Sequence, residues 1–315
     1  MTLSPSRRTL IKAAALLPVA ATRAHAAPDQ TGADKTAAQK PPVIDCHVHC
    51  FDGRDSARFP YHPQAPYQPP GAVSPEQLLA AMTVAGVDQA VVVHPEPYQD
   101  DNRYLEHCLT AGKGRLKGTC LFFADRPAWK TELPALVRRA GAVVALRVHA
   151  YAPERLPPFG KPELKAMWKQ AADLGLVMQI HFEPHYAAGF EPLIRAFPKT
   201  PVVIDNLGRP FQATPEEFAR VLRWSRLPNV HMKLSGFPNP TEYPFRDIRP
   251  NLKQIISGFG PDRLVWGGTF GVGATADTYK AGRAAIGVHL ADLPAADQAK
   301  ILGGTAARLF HFATA

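Results

Sequence analysis

The chain has 315 residues, with 36 basic against 27 acidic side chains (formal net charge +9), 46% hydrophobic residues and four cysteines. That length can bury a core without cross-links, so the scattered Cys46, Cys50, Cys108 and Cys120 argue against a small disulfide scaffold. The charge is dispersed, with no long like-charged run and no arginine–aromatic stripe, which argues against nucleic acid as a partner.

The first element reads as an export signal. Ser6-Arg7-Arg8-Thr9-Leu10-Ile11-Lys12 leads into an apolar stretch over residues 13–21 and then Ala24-His25-Ala26, a small-x-small cleavage site. The arrangement resembles a bacterial twin-arginine signal over residues 1–26. It implies contact with the twin-arginine export machinery and a periplasmic mature protein. The apolar stretch is too short to cross a bilayer and Pro18 interrupts it, so no stable membrane anchor is expected. Cleavage removes four basic residues and no acid, leaving 32 against 27, a formal +5 that suits an anionic small-molecule substrate. Residues 27–42 are polar, small and proline-bounded, and read as a disordered linker.

From Val43 onward, short apolar runs alternate with helical segments. Strands are expected at 43–49, 87–93, 116–123, 143–149, 176–182, 202–206, 230–235 and 264–267. Ser74-Pro75 and Thr214-Pro215-Glu216-Glu217 each place a capping residue before a proline at the first helical position. Gly86, Gly141 and Gly175 stand where the first, third and fourth helices should stop. Eight strands each followed by a helix predict one α/β domain over residues 43–315, a single (β/α)8 TIM barrel. A doubly wound open sheet is the alternative, but Gly112-Lys113-Gly114-Arg115 lacks the spacing of a nucleotide-binding loop. The long proline- and aromatic-rich segment over residues 50–73 should lie over the barrel mouth. It offers Tyr61, His62 and Tyr67 as lid residues, or else forms a rigid cover.

The most informative motif closes the first strand: Asp45-Cys46-His47-Val48-His49. Plain alternation puts Asp45, His47 and His49 on one face. Two converging imidazoles at a barrel strand's carboxyl end suit a divalent metal or a polarised oxygen; two buried, hydrogen-bonded core histidines are the other reading.

With this motif the sequence resembles the amidohydrolase superfamily. Further stretches are similar to its amidohydrolase-related branch, which includes sugar-acid lactonases, a pyrone-dicarboxylate lactonase and several decarboxylases. They are His94-Pro95-Glu96-Pro97-Tyr98 with Asp101-Asn102-Arg103-Tyr104, Gln179-Ile180-His181, Asp205-Asn206-Leu207-Gly208-Arg209-Pro210 and Lys233-Leu234-Ser235-Gly236. The resemblance extends to Phe310. It implies His47, His49 and His181 as ligands of zinc or manganese, or as direct substrate contacts in a metal-free site. Two positions depart from the family pattern. Asn206 stands where a sixth-strand histidine is usual, and Thr269 stands where the eighth-strand aspartate would activate water.

Thr269 has no carboxylate, so it is expected only to hydrogen-bond a substrate carbonyl or water. A replacement base must come from another strand end, with Glu183 ranked first and Glu96, Asp205, His149 and His185 behind it. Asp205 is expected to face the helices. Substrate contacts are expected from His94, Tyr98, His149 and Asn206, and from Arg147 and Arg209, whose guanidinium forks match carboxylates. The expectation is an exported hydrolase of a small, anionic ester or lactone. A non-catalytic binding relative is the alternative, and a metal-dependent decarboxylase is a weaker one because it would also need the missing aspartate.

Overall fold

The computed structural model describes residues 40–313, apart from 152 and 239–243; the signal and most of the linker lie outside the described residues. Eight parallel strands follow one another in sequence order: β1 (Ile44–Val48), β2 (Gln89–Val93), β3 (Leu116–Leu121), β4 (Val143–Ala150), β5 (Val177–Phe182), β6 (Val202–Ile204), β7 (Val230–Leu234) and β8 (Leu264–Trp266). Beyond β8, Val48 bridges Phe270, and the His49 N–H donates to the Phe270 carbonyl at 2.8 Å, bringing the ring back to its start. This is the expected (β/α)8 barrel.

Seven helices fill the crossovers and an eighth follows β8: α1 (Pro75–Ala85), α2 (Arg103–Ala111), α3 (Trp129–Ala140), α4 (Pro162–Asp173), α5 (Ala187–Ala196), α6 (Pro215–Arg223), α7 (Arg249–Phe259) and α8 (Ala276–His289). Local chemistry sets their ends. Ser74 with Gln77 and Thr214 with Glu217 form capping boxes, each followed by proline at the first helical position. Gly86 ends α1 in the left-handed region (φ 66°), a conformation that costs glycine nothing.

Ile44, Cys46, Val91, Ala145, Val203 and Val265 fill the lower barrel, where Phe310 and Phe312 from the chain's end pack against them. Val48, Val92, Leu146, Ile180 and Met232 face outward to the helices. Polar side chains therefore collect in the upper barrel, at the carboxyl ends of the strands, where barrels of this kind keep their chemistry.

The segment over residues 50–73 is tied down at both ends by paired Phe51 and Val73 backbone bonds of 3.0 and 2.7 Å. Phe59 and Tyr61 are buried, and Tyr61 packs edge-on against Tyr98 with ring centres 5.1 Å apart. Tyr61 is thus a core residue of an anchored cover, which corrects its reading as a lid residue. Tyr67 remains exposed. Among the described residues, no helix is long and apolar enough to cross a membrane.

Candidate active site

The first strand breaks its alternation. Its pairing with β2 shifts register between Asp45 and Val48, and such a bulge re-aims the side chains that follow it. Ile44 and Cys46 face the barrel interior. Asp45 faces α8, where it accepts hydrogen bonds from the Tyr279 hydroxyl (2.6 Å) and from the Gly268 and His47 N–H groups (both 2.8 Å). His47 swings inward to His49, with the two Nε2 atoms 3.1 Å apart. The expected common face of Asp45, His47 and His49 is therefore corrected. Gly267 on the neighbouring strand permits the turn, because a Cβ there would stand 2.6 Å from His47 Cβ.

Near these histidines lies a buried layer of charge. Asp205 Oδ2 accepts hydrogen bonds from Arg147 Nε and Gln179 Nε2, both at 2.9 Å, and Thr119 donates to Gln179 Oε1 at 3.0 Å. Lys233 Nζ stands 2.9 Å from Asp205 Oδ1, an ionic contact without hydrogen-bond alignment. Burial opposes the charge on Asp205, but Lys233 and Arg147 outweigh it and hold the carboxyl well below the usual range. Burial also keeps His47, His49 and His181 neutral, with His49 pushed down to about 3. Two cations against one carboxylate leave this layer a formal +1.

Asp205 was expected among the helices, and the reason for the correction is local. The strand ends at Ile204, and Asn206 takes a positive φ of 50°, so Asp205 continues the inward face of Val203 while Asn206 also turns to the site. The Asn206 Nδ2 lies 3.2 Å from His181 Nε2, and Asn206 Oδ1 accepts from the Ser235 hydroxyl at 2.8 Å. The Arg147 guanidinium reaches His181 Nδ1 at 2.8 Å, and the Tyr151 hydroxyl lies against the same ring, 2.7 Å from Nε2. Arginine and the amide nitrogen only donate, so among these neighbours the Tyr151 hydroxyl is the group that can accept the neutral ring's single proton. A cleft of about 520 Å³, lined by Tyr151, His181, Asn206, Arg209, Phe211 and Arg246, opens beside that ring. A larger hollow of about 720 Å³, lined by His231, Asp262 and Arg308, lies at the opposite ends of the strands, away from these groups.

Residues 44–312 match the amidohydrolase family model. The chain belongs to the amidohydrolase family. Among curated relatives, this amidohydrolase is 31% identical over 231 residues to 4-sulfomuconolactone hydrolase of Rhizobium radiobacter, covering 71% of this chain and 73% of that one. It is 29% identical over 242 residues to L-fucono-1,5-lactonase of Burkholderia ambifaria, covering 71% and 78%. A crystal structure of an amidohydrolase from Burkholderia multivorans with bound zinc shares the fold, with a TM-score of 0.67 at 18% identity over 86% of this chain and all (100%) of that one.

The residues present fit a divalent ion poorly. His49 Nδ1 donates to the Val93 carbonyl at 2.7 Å, which leaves Nε2 as a lone pair and makes His47 Nε2 the donor between them. Offering both lone pairs to a metal would move the His47 proton to Nδ1, a buried atom without a partner, whereas metal-bound imidazoles ordinarily donate that proton to an acceptor. Arg147 and the Asn206 Nδ2 stand against the two ring nitrogens of His181, and the layer already carries excess positive charge. Asn206 offers an amide where a third imidazole would be wanted.

Several expected site residues lie elsewhere. Thr269 is exposed at a positive φ of 56°, with its hydroxyl turned back to the Gly268 carbonyl. Its side chain helps line a hollow with Trp266 and His289 that does not include His181. Glu183 is a third exposed and faces His185 at 3.6 Å, so it is a solvated loop acid. His94 is on the helix-facing side, fully buried, with Nε2 donating to the Gln99 carbonyl at 2.9 Å. Tyr98 is buried too, and its hydroxyl accepts the Asp52 N–H at 2.7 Å. Arg147 spends Nε and Nη2 on Asp205 and His181, so the Nε–Nη2 side of its fork is taken. Arg209 stands at the cleft wall over Tyr151, 5.2 Å from the ring centre, with no ion pair among the described residues. His149 is buried beside His181, ring centres 5.7 Å apart, with Nδ1 2.9 Å from Glu96 Oε1. Sequence reasoning quoted Gln179, Lys233 and Ser235 as motif residues without a role and passed over Tyr151; their inward parity beside charged neighbours was the available signal.

Proposed function

We propose that the protein is an exported, metal-independent hydrolase of a small anionic lactone. The observation that carries this reading is the His181–Tyr151 donor pair at the cleft wall, with the hydroxyl 2.7 Å from Nε2. A donor held in place there meets a lactone carbonyl oxygen without reorganising, and its bond strengthens as charge develops on that oxygen. The net positive layer near it stabilises the tetrahedral oxyanion over a longer range. Arg209 and Arg246, at the wall of the cleft, match a carboxylate or sulfonate on the ring. Two curated relatives are lactone hydrolases, one acting on a sulfonated lactone, which supports both the reaction and the charge of the substrate.

The test is proton release on a panel of lactones including 4-sulfomuconolactone and L-fucono-1,5-lactone. Turnover is expected, falling by about 10² to 10³ in His181→Asn, the cost of losing one oxyanion donor. Arg209→Met should raise KM for charged lactones and leave neutral ones alone. Absence of turnover on every lactone would sink the reading and favour the non-catalytic binder, to which the turned-away Thr269 lends support. Export rests on the twin-arginine signal, and Arg7→Lys/Arg8→Lys should leave the protein in the cytoplasm on fractionation; a periplasmic variant would refute that route.

A further inference from the structure

A lactonase needs a group to take a proton from water, and the eighth strand supplies none, since Thr269 turns away. The geometry points to Glu96 and His149 as that group, a carboxylate–imidazole dyad in which His149 is the general base and Glu96 positions it. This deepens the lactonase reading and rests on it.

Four observations carry the dyad. His149 Nδ1 stands 2.9 Å from Glu96 Oε1, close though not aligned as a hydrogen bond, and a carboxylate only accepts, so the contact favours the ring proton on Nδ1. That leaves the Nε2 lone pair free, and Nε2 is a buried atom with no hydrogen-bond partner among the described residues. An unsatisfied buried acceptor costs free energy and persists where function uses it. The ring lies next to His181, centres 5.7 Å apart and nearly perpendicular, so the chamber that His149 lines adjoins the cleft that His181 lines. Finally, His149 and Glu96 line an enclosed chamber of about 260 Å³, partly covered by Gln64 and Pro66. That is room for several waters at about 30 Å³ each. Glu96 is itself fixed, with Arg155 3.2 Å from Oε1.

The step balances without a further reactant. His149 Nε2 takes a proton from a chamber water as its oxygen attacks the lactone carbonyl carbon. The carbonyl oxygen becomes an oxyanion bonded by the His181–Tyr151 donor pair. Collapse breaks the ring C–O bond, and the leaving alkoxide takes the proton back from His149. Glu96 steadies the imidazolium in between, the role a carboxylate plays behind a catalytic histidine. The product is a hydroxy acid that ionises to solvent.

The experiment compares wild type, His149→Ala and Glu96→Gln on whichever panel lactone turns over, with exogenous imidazole added to each. His149→Ala is expected to lose about 10² to 10⁴ in kcat, the usual contribution of a positioned base, with KM little changed. Imidazole should restore part of that rate in His149→Ala and none in His181→Asn. Glu96→Gln should lower kcat about tenfold or more, without imidazole rescue. A His149→Ala enzyme within threefold of wild type, or one that has lost rate and is folded yet indifferent to imidazole, overturns the dyad and leaves the lactonase reading standing. A wild type inert to every lactone overturns both.

Discussion

Replacing Asp205 by asparagine isolates the buried charge layer. Asp205 faces Lys233 at 2.9 Å and Arg147 at 2.8 Å, and the acid and lysine side chains are fully buried. The amide of the Asp205→Asn variant would keep a carbonyl for one hydrogen bond but leave two buried cations without an anion. Removing one partner from a buried pair costs about 3–5 kcal/mol, against a typical total stability of about 5–15. Equilibrium urea unfolding at pH 7 should therefore show a loss of about 3 kcal/mol or more. Adding Lys233→Met removes one stranded cation, so the double variant should recover about 2 kcal/mol, a coupling within the range of groups in direct contact. The pH dependence follows from the depressed carboxyl of Asp205. Its contribution is fully present above the unfolded value of 3.8 and is lost only as pH falls through the still lower folded value, so wild type keeps this advantage until strong acid. A single variant within about 1 kcal/mol of wild type, or a double variant that is merely additive, would show that the layer is not coupled as described.

Asp45 has the opposite sign: burial raises it to about 6 despite the Tyr279, Gly268 and His47 bonds. Its protonated form contributes stability that is complete below 3.8 and lost as pH rises through about 6. Asp45→Asn should therefore compare better with wild type at pH 8 than at pH 4, by up to about 3 kcal/mol; thermal midpoints at the two pH values check this, and an unchanged difference refutes it. Gly267→Ala would place its Cβ 2.6 Å from His47 Cβ, so His47 must give way at a cost of about 1–3 kcal/mol; turnover falling with no such stability loss would contradict the steric account. Treatment with a chelator, followed by elemental analysis, should leave lactone turnover unchanged. Activity lost to chelation and restored by zinc would mean that the histidine protons rearrange around a metal after all.

The barrel was legible because its signals are local. Apolar runs bounded by capping boxes and left-handed glycines mark strands and helix ends whatever the rest of the chain does, and the observed strands fall within a few residues of those expected. The site was less legible wherever parity carried the argument. Alternation gives a side chain's face only while the strand stays regular, and the residues that matter sit where it does not. A bulge separates Asp45 from His47. At β6, the positive φ of Asn206 lets two consecutive residues reach one site.

Those irregularities also explain why Glu183 ranked first although the structure leaves it in solvent. Glu183 follows His181 by two and shares its parity, but β5 ends at Phe182, and Pro184 opens a short turn that leaves the carboxylate in solvent. Glu96 had no such linear claim, since it lies in a turn after β2 and meets His149 only because β4 stands two strands away around the ring. A base assembled from two strand ends is invisible to spacing and depends on barrel closure. An active site that replaces its eighth-strand acid can draw on any neighbouring pair of loops, so loss of that carboxylate from the motif is weak grounds for calling the barrel inert. The partnerless Nε2 of His149 is the stronger signal, because a group kept buried and unsatisfied marks where a reacting molecule completes the structure.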